Sequence, residues 1–220
     1  MTPQPTIPGA SLTSLDLMAL AAKVDPALVD INTQLSRPNV QAAGTGIVLR
    51  SSGRVLTNNH VIDDAVSISA TDVGNGKTYT AAVVGRDPAH DIAVLQLADA
   101  SDLVTAAIGD SDKVTLGDEV AAIGNAGGRG GTPSIAPGKV TGLLQRVTVI
   151  DELTHSSQQL TGMIRVAADV EPGDSGGPLV NAAGQVIGVV TAGTMKSGSQ
   201  DIGDGLAIPI NDAITISNRF

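Results

Sequence analysis

Ser175 stands in Gly173-Asp174-Ser175-Gly176-Gly177-Pro178-Leu179, where glycines on either side permit a tight turn that exposes a hydroxyl and gathers backbone N–H groups toward one point. Those are the two requirements of acyl transfer: a nucleophile, and donors for the oxyanion its attack creates. Gly, Asp, Ser and Pro also dominate ordinary surface turns, and the chain carries a control for that bland reading in Gly109-Asp110-Ser111. That copy runs on into Asp112 and Lys113 rather than two glycines and a proline, and reads as a loop or helix cap. Ser175 differs in having partners. A serine hydroxyl needs a base to take its proton and a third group to orient that base. Of the three histidines, His60, His90 and His155, His60 lies at the junction of an apolar run and a polar turn in Leu56-Thr57-Asn58-Asn59-His60-Val61-Ile62. Asp91 lies at the mouth of the apolar strand Ile92-Ala93-Val94-Leu95-Gln96-Leu97, where a partly shielded carboxylate requires a donor. An imidazole N–H is a fitting one.

Bringing positions 60, 91 and 175 together takes a fold with long-range pairing. At 220 residues the chain suits one unit with two sub-cores. Residues 1–10 are Pro- and Thr-rich, and the stretch 1–13 reads as a flexible leader. From Ser14 the apolar spacing of Leu15, Leu17, Met18, Leu20, Ala21, Ala22 and Val24 predicts a short amphipathic helix stopped near Pro26. Residues 28–35 alternate with period two, the mark of a half-buried strand. Further strands read at 46–49, 55–58, 66–70, 79–85 and 92–97, then at 119–123, 138–150, 163–168, 178–180, 185–191 and 206–208, with a last helix from Asn211 to about Asn218. Many short strands separated by Gly and Asn turns predict an all-β barrel or sandwich. The division is 14–103 for the N-terminal helix and the strands that deliver His60 and Asp91, 104–117 for a crossover, and 118–220 for the strands that deliver Ser175 and the C-terminal helix.

Composition narrows the function. A net charge of −9 argues against nucleic acid or an anionic membrane as partner. The absence of cysteine excludes disulfides and thiolate metal sites. No apolar run approaches the length of a membrane span. Gly127-Gly128-Arg129-Gly130-Gly131 lacks the Lys-Ser or Lys-Thr and the strand-to-helix setting of a phosphate cradle, and reads as a flexible loop.

The blocks 43–48, 56–62, 91–97, 122–125, 173–180 and 205–209 resemble, in order and spacing, the trypsin-like fold in its HtrA (DegP) branch, and more narrowly the actinobacterial PepA-type exported serine proteases. The chain order base, acid, nucleophile is that of chymotrypsin. The resemblance implies two six-stranded antiparallel β-barrels with short N- and C-terminal helices and a catalytic cleft between the barrels. It implies a serine endopeptidase acting on unfolded or exposed peptide segments, with His60 as base, Asp91 as the group that orients it and Ser175 as nucleophile. The oxyanion hole falls to the backbone N–H groups of Gly173 and Ser175, with Asp174 between them a conformational residue. No metal or cofactor is called for. Thr191 occupies the place of a small hydroxyl residue near the triad carboxylate; the bland reading is a strand threonine facing solvent.

The specificity pocket implied by the resemblance comprises Asp169, Thr191, Ala192, Gly193 and Gly205. Asp169 sits six residues before Ser175, the offset of trypsin's pocket-floor carboxylate, which favours Arg or Lys at P1. The HtrA branch carries a small residue there and prefers small aliphatic P1 side chains, and Arg165 on the same strand parity can neutralise the aspartate. Both readings stand at this point. The segments 124–132, 151–161 and 193–203 correspond to activation and specificity loops, and so glycine-rich a set predicts a zymogen-like resting state.

The branch is exported, whereas residues 1–10 lack the regions of a signal peptide, so a processed form located outside the cytoplasm is expected. Members continue into PDZ domains, and many trimerise through N-terminal aromatics. Here the only aromatics are Tyr79 and Phe220, which leaves further domains and the oligomeric state open. The competing class is a catalytically silent peptide-binding or chaperone-like protein on the same scaffold.

Overall fold

The computed structural model describes residues 14–37, 40–150, 157–191, 196–197, 200–201 and 205–220. After helix α1 (Ser14–Val24), the strands β1 (Leu28–Leu35), β2 (Gln41–Arg50), β3 (Arg54–Thr57), β4 (Ala65–Asp72), β5 (Thr78–Asp87) and β6 (Ile92–Leu97) close into a barrel in the order β1-β2-β3-β6-β5-β4. A one-turn helix α2 (Asn59–Ile62) interrupts it after β3. The strands β7 (Glu119–Gly124), β8 (Ser134–Ile150), β9 (Ser157–Ala167), β10 (Pro178–Asn181), β11 (Val186–Thr191) and β14 (Gly205–Pro209) close a second barrel in the order β10-β11-β14-β9-β8-β7. Two short strands, β12 (Lys196–Ser197) and β13 (Gln200–Asp201), pair with each other outside it, and helix α3 (Ile210–Ser217) ends the fold. All pairings within the barrels are antiparallel, as the fold class expected from the sequence requires.

The strand faces explain the near-continuous apolar runs. In β6, Ala93, Leu95 and Leu97 fill the first barrel, while Ile92 and Val94 face the other way. In β7, Val120 and Ala122 fill the second barrel, while Ala121 and Ile123 face outward. The outward set does not meet water. It forms a third cluster between the barrels, with Leu28, Ile47 and Leu56 from one side and Val180, Val189 and Leu206 from the other. Period two thus persists, but both phases are apolar because both faces are buried. β1 departs from the half-buried strand expected of it, since six of its eight residues are buried and Asp30 is only 3 % exposed. The outward face of Asp30 is covered by the loop after β7, whose Gly131 N–H donates to Asp30 Oδ2 at 3.0 Å.

The terminal helices α1 and α3 rest on the seam. α1, grouped by sequence with the first barrel, places Leu20 and Val24 in the inter-barrel cluster beside Val147 and Leu160 of the second, and the Lys23 ammonium donates to the Ala183 carbonyl. α3 contributes Ile210, Ala213 and Ile216 to the same cluster and contacts both β11 and β6. The β8–β9 hairpin runs further than the sequence suggested. Residues 157–161, read as part of a loop, are strand, because Val147 and Leu160 pair and are buried together; 151–156 lie outside the described residues. Register shifts between Val140 and Val147 bend this hairpin and leave Leu144 at φ 53° and 85 % exposed.

Candidate active site

His60 is carried on α2 directly after β3, and Asp91 closes the 3-10 turn Pro88–His90 just before β6. β3 and β6 are neighbours paired through Thr57 and Ala93, so the ends of the two strands bring these residues together. Asp91 sits at φ 54°, ψ 42°, a left-handed conformation that aspartate tolerates better than most side chains, and Asn58 Nδ2 fixes it by donating to the Asp91 carbonyl at 3.0 Å. The carboxylate is 4 % exposed and accepts from three directions. The His60 backbone N–H reaches Oδ1 at 2.9 Å, His60 Nδ1 lies 2.8 Å from Oδ2, and Thr191 Oγ1 donates to Oδ2 at 3.2 Å. Three donors make a buried carboxylate tolerable. A proton on Nδ1 directed at Asp91 leaves Nε2 as the acceptor nitrogen of the neutral ring. Thr191 is fully buried, so the solvent-facing alternative is excluded.

The turn that carries Ser175 is tied to both barrels. Thr45 N–H donates to the Ser175 carbonyl at 2.8 Å, Gly176 N–H donates to the Val190 carbonyl and Val190 N–H to the Gly177 carbonyl, each at 2.8 Å. Val190 precedes Thr191, which touches Asp91, and a Cβ at Gly44 would stand 2.6 Å from Val61 beside His60 and 3.1 Å from the Ser175 carbonyl. The turn of Ser175 therefore adjoins the His60–Asp91 pair across the seam. Gly173 (φ 103°) and Gly176 (φ 84°) take conformations that side chains rarely adopt, and a Cβ at Gly173 would run into the Asn125 carbonyl. The Asp174 carboxylate is folded back onto Glu171 N–H (2.9 Å) and Ser134 Oγ (3.3 Å), away from any direct chemical role. Burial pushes its pKa up against the opposing effect of those two donors.

Pro172 was not singled out by the sequence, yet its carbonyl accepts from Gly127 N–H at 2.7 Å. The amide is trans and planar, so Gly173 N–H points to the opposite side, away from the 125–131 loop. That loop is held in turn by Gly130 N–H to Asn125 Oδ1 at 2.7 Å and by Gly131 to Asp30.

Of the pocket residues, Asp169 is exposed and Gly205 is buried; Ala192 and Gly193 lie outside the described residues. A Cβ at Gly205 would stand 2.5 Å from Val170 Cγ2 and 3.0 Å from Val166 Cγ2. His90 belongs elsewhere, bound through Nδ1 to Asp87 Oδ2 at 2.8 Å, and His155 lies outside the described residues. His90 lines a groove of about 350 Å³ with Thr161, Pro209 and Arg219, which does not include Ser175.

A family model described as a trypsin-like peptidase domain matches residues 44–189, which span all three residues of the site. The chain belongs to the trypsin-like peptidase family. Among curated relatives, this trypsin-like chain is 35 % identical over 230 residues to serine protease PepD of Mycobacterium tuberculosis, across 98 % of the chain and 48 % of that protein. It is 36 % identical over 195 residues to the periplasmic pH-dependent serine endoprotease DegQ of Escherichia coli, across 87 % of the chain and 40 % of that protein. Among solved structures, the HtrA-type protease AlgW with a tripeptide superposes with a TM-score of 0.75 at 33 % identity, covering 91 % of this chain and 62 % of that one. The Rv3671c protease of M. tuberculosis in its active form superposes with a TM-score of 0.77 at 27 % identity, covering 98 % and 90 %. The resemblance to the HtrA (DegP) branch read from the sequence blocks therefore holds: the relatives of this trypsin-like peptidase are serine proteases such as PepD and DegQ, and its structural neighbours include HtrA-type proteases. The chain spans about half the length of the curated relatives it matches.

Proposed function

We propose that this chain is a serine endopeptidase that cleaves unfolded or exposed peptide segments through an acyl-enzyme. His60 Nε2 takes the proton of Ser175 Oγ as the oxygen attacks the peptide carbonyl, and Asp91 holds the tautomer and stabilises the imidazolium. The N–H groups of Gly173 and Ser175 receive the oxyanion. His60 then returns the proton to the leaving amine, and water repeats the sequence on the acyl-enzyme. The observation that carries this reading is the Asp91 carboxylate, which receives the backbone and ring nitrogens of His60 and the hydroxyl of Thr191 at once.

The zymogen-like resting state expected from the sequence is not the one we propose. The Gly127-to-Pro172 hydrogen bond supports a Gly173 donor already turned toward substrate, so loop regulation would act by releasing Gly127. At the pocket, the exposure of Asp169 and the contact of Val170 with the bare face of Gly205 favour small aliphatic P1 side chains over Arg or Lys. A peptide library should therefore show enrichment of Ala and Val, and enrichment of Arg or Lys would overturn the assignment. We place the protein outside the cytoplasm, in line with relatives named as periplasmic.

The test compares wild type with Ser175→Ala on unfolded casein, together with labelling by a fluorophosphonate. Hydrolysis and a single phosphonyl adduct on Ser175 in wild type only are expected. Equal inertness of both proteins, with casein still bound, would establish the peptide-binding alternative instead.

A further inference from the structure

Thr45 lies on β2 of the first barrel, outside the triad, and every hydrogen-bonding group it owns is used. Its hydroxyl donates to the Gly173 carbonyl at 2.8 Å and accepts from Asn125 N–H at 2.9 Å. Its own N–H donates to the Ser175 carbonyl at 2.8 Å, and its carbonyl accepts from Thr57 Oγ1 at 2.7 Å. One residue therefore bonds both ends of the Gly173–Ser175 segment and the end of β7, from which the Gly127 loop departs. Three glycines of the second barrel are shaped to it. A Cβ at Gly124 would stand 3.0 Å from Thr45 Oγ1, one at Gly177 would stand 3.3 Å from Thr45 Cβ, and one at Gly176 would run into the Thr45 carbonyl. Thr45 is 1 % exposed, so no water can replace the hydroxyl if it is removed without leaving space.

We propose that Thr45 is a positioning residue for the oxyanion hole: its hydroxyl holds the peptide plane after Gly173 directly and, through Asn125, anchors the loop whose Gly127 holds the plane before it, so that the Gly173 N–H is presented to substrate. The Gly127-to-Pro172 bond fixes the plane before Gly173, and the Thr45-to-Gly173 bond fixes the plane after it. With both carbonyls of the turn held, the Gly173 N–H has one direction left. The role rests on the endopeptidase reading for its catalytic consequence, but the clamp itself does not.

The test uses Thr45→Val, which keeps the shape and loses the hydroxyl, Thr45→Ala, which leaves room for a water, and Thr45→Ser, which keeps the donor and acceptor. Each is assayed well below its own melting temperature. Thr45→Val is expected to lower kcat roughly 10- to 100-fold, up to the loss seen on deleting one oxyanion donor, with KM little changed. Thr45→Ser is expected within about threefold of wild type, since its hydroxyl offers the same donor and acceptor. In the Ser175→Ala background, the Thr45→Val change should leave peptide affinity unaltered, because the oxyanion forms only in the reaction. Hydrogen exchange provides the readout that does not depend on activity: segments 124–128 and 172–177 should lose protection together in Thr45→Val, while β4 and β5 keep theirs. Wild-type kcat in Thr45→Val, a Thr45→Ser variant slowed tenfold or more, peptide affinity falling in step with kcat, or unchanged exchange in Thr45→Val would each overturn the proposal. A Thr45→Val protein that does not fold transfers the comparison to Thr45→Ala and Thr45→Ser. Should wild type itself prove inert, the exchange arm still decides the clamp.

Discussion

Asp91 shows how a single side chain is made fit for the site: a carboxylate hidden from water, surrounded by donors and balanced on a left-handed backbone. Replacing it with Asn keeps the size but reverses half of the donor pattern, so the imidazole is offered the wrong tautomer. Asp91→Asn should lower kcat by about 10⁴-fold, as in serine protease triads generally, with secondary structure unchanged by circular dichroism. Thr191 contributes one hydrogen bond to the same charged oxygen. Thr191→Val should reduce kcat/KM roughly 10-fold, which corresponds to about 1.5 kcal/mol for one bond to a charged group; a reduction below threefold would show that Thr191 is dispensable. These residues were legible in the sequence to different degrees. The glycines around Ser175 and the apolar strand after Asp91 announced themselves. Thr45 did not, although a threonine between two glycines inside a strand, Gly44-Thr45-Gly46, marks a place where another backbone comes close.

At the scale of the element, the nucleophile turn and the α1–β1 corner make separate predictions. Gly173→Ala introduces a Cβ against the Asn125 carbonyl at a φ of 103°. The turn must open to accept it, so fluorophosphonate labelling of Ser175 should slow by roughly 10²-fold or more while Asp91 still holds His60. The corner carries a pH dependence. Asp25, which opens the 3-10 turn just after α1, has its pKa pushed by burial from 3.8 to about 6, and its Oδ1 is buried without a hydrogen-bond partner. The folded state therefore retains a proton that the unfolded chain releases, and the stability this confers is present below pH 3.8 and lost as pH rises toward about 6. Asp25→Asn should stabilise the protein at pH 7 by about 1 kcal/mol, once screening of a half-exposed group is allowed for. No gain is expected at pH 3; thermal melts at both values check the sign. The strands themselves were readable from period two, and β1 and β6 begin and end where the pattern does. The one-turn helix α2 was not readable, because four residues carry no periodicity and its Asn58 is spent on the Asp91 carbonyl rather than on a cap.

Across the whole molecule, the candidate active site lies on a seam filled by an apolar cluster. Ile210 of α3 is fully buried in it, between strands of both barrels. Ile210→Ala should destabilise the fold by about 2–5 kcal/mol. It should lower activity at temperatures where the variant is still folded, since a slackened seam misplaces Ser175 relative to His60. A melt in two separate transitions would show instead that the barrels unfold independently. Local pattern was enough to place the strands, the all-β class and the residue types able to do acyl transfer, because side-chain alternation and glycine-flanked turns are written within a few residues; the pairing of two barrels came from the family resemblance. The tertiary structure alone decided that the outward strand faces are buried against each other, that Asp30 holds the 125–131 loop while Gly127 of that loop braces the turn before Ser175, and that Thr45 reaches Gly173 across 128 positions of chain. Such bonds join groups that every residue possesses, the backbone N–H and C=O, and only the closing of two barrels on one another determines which of them meet.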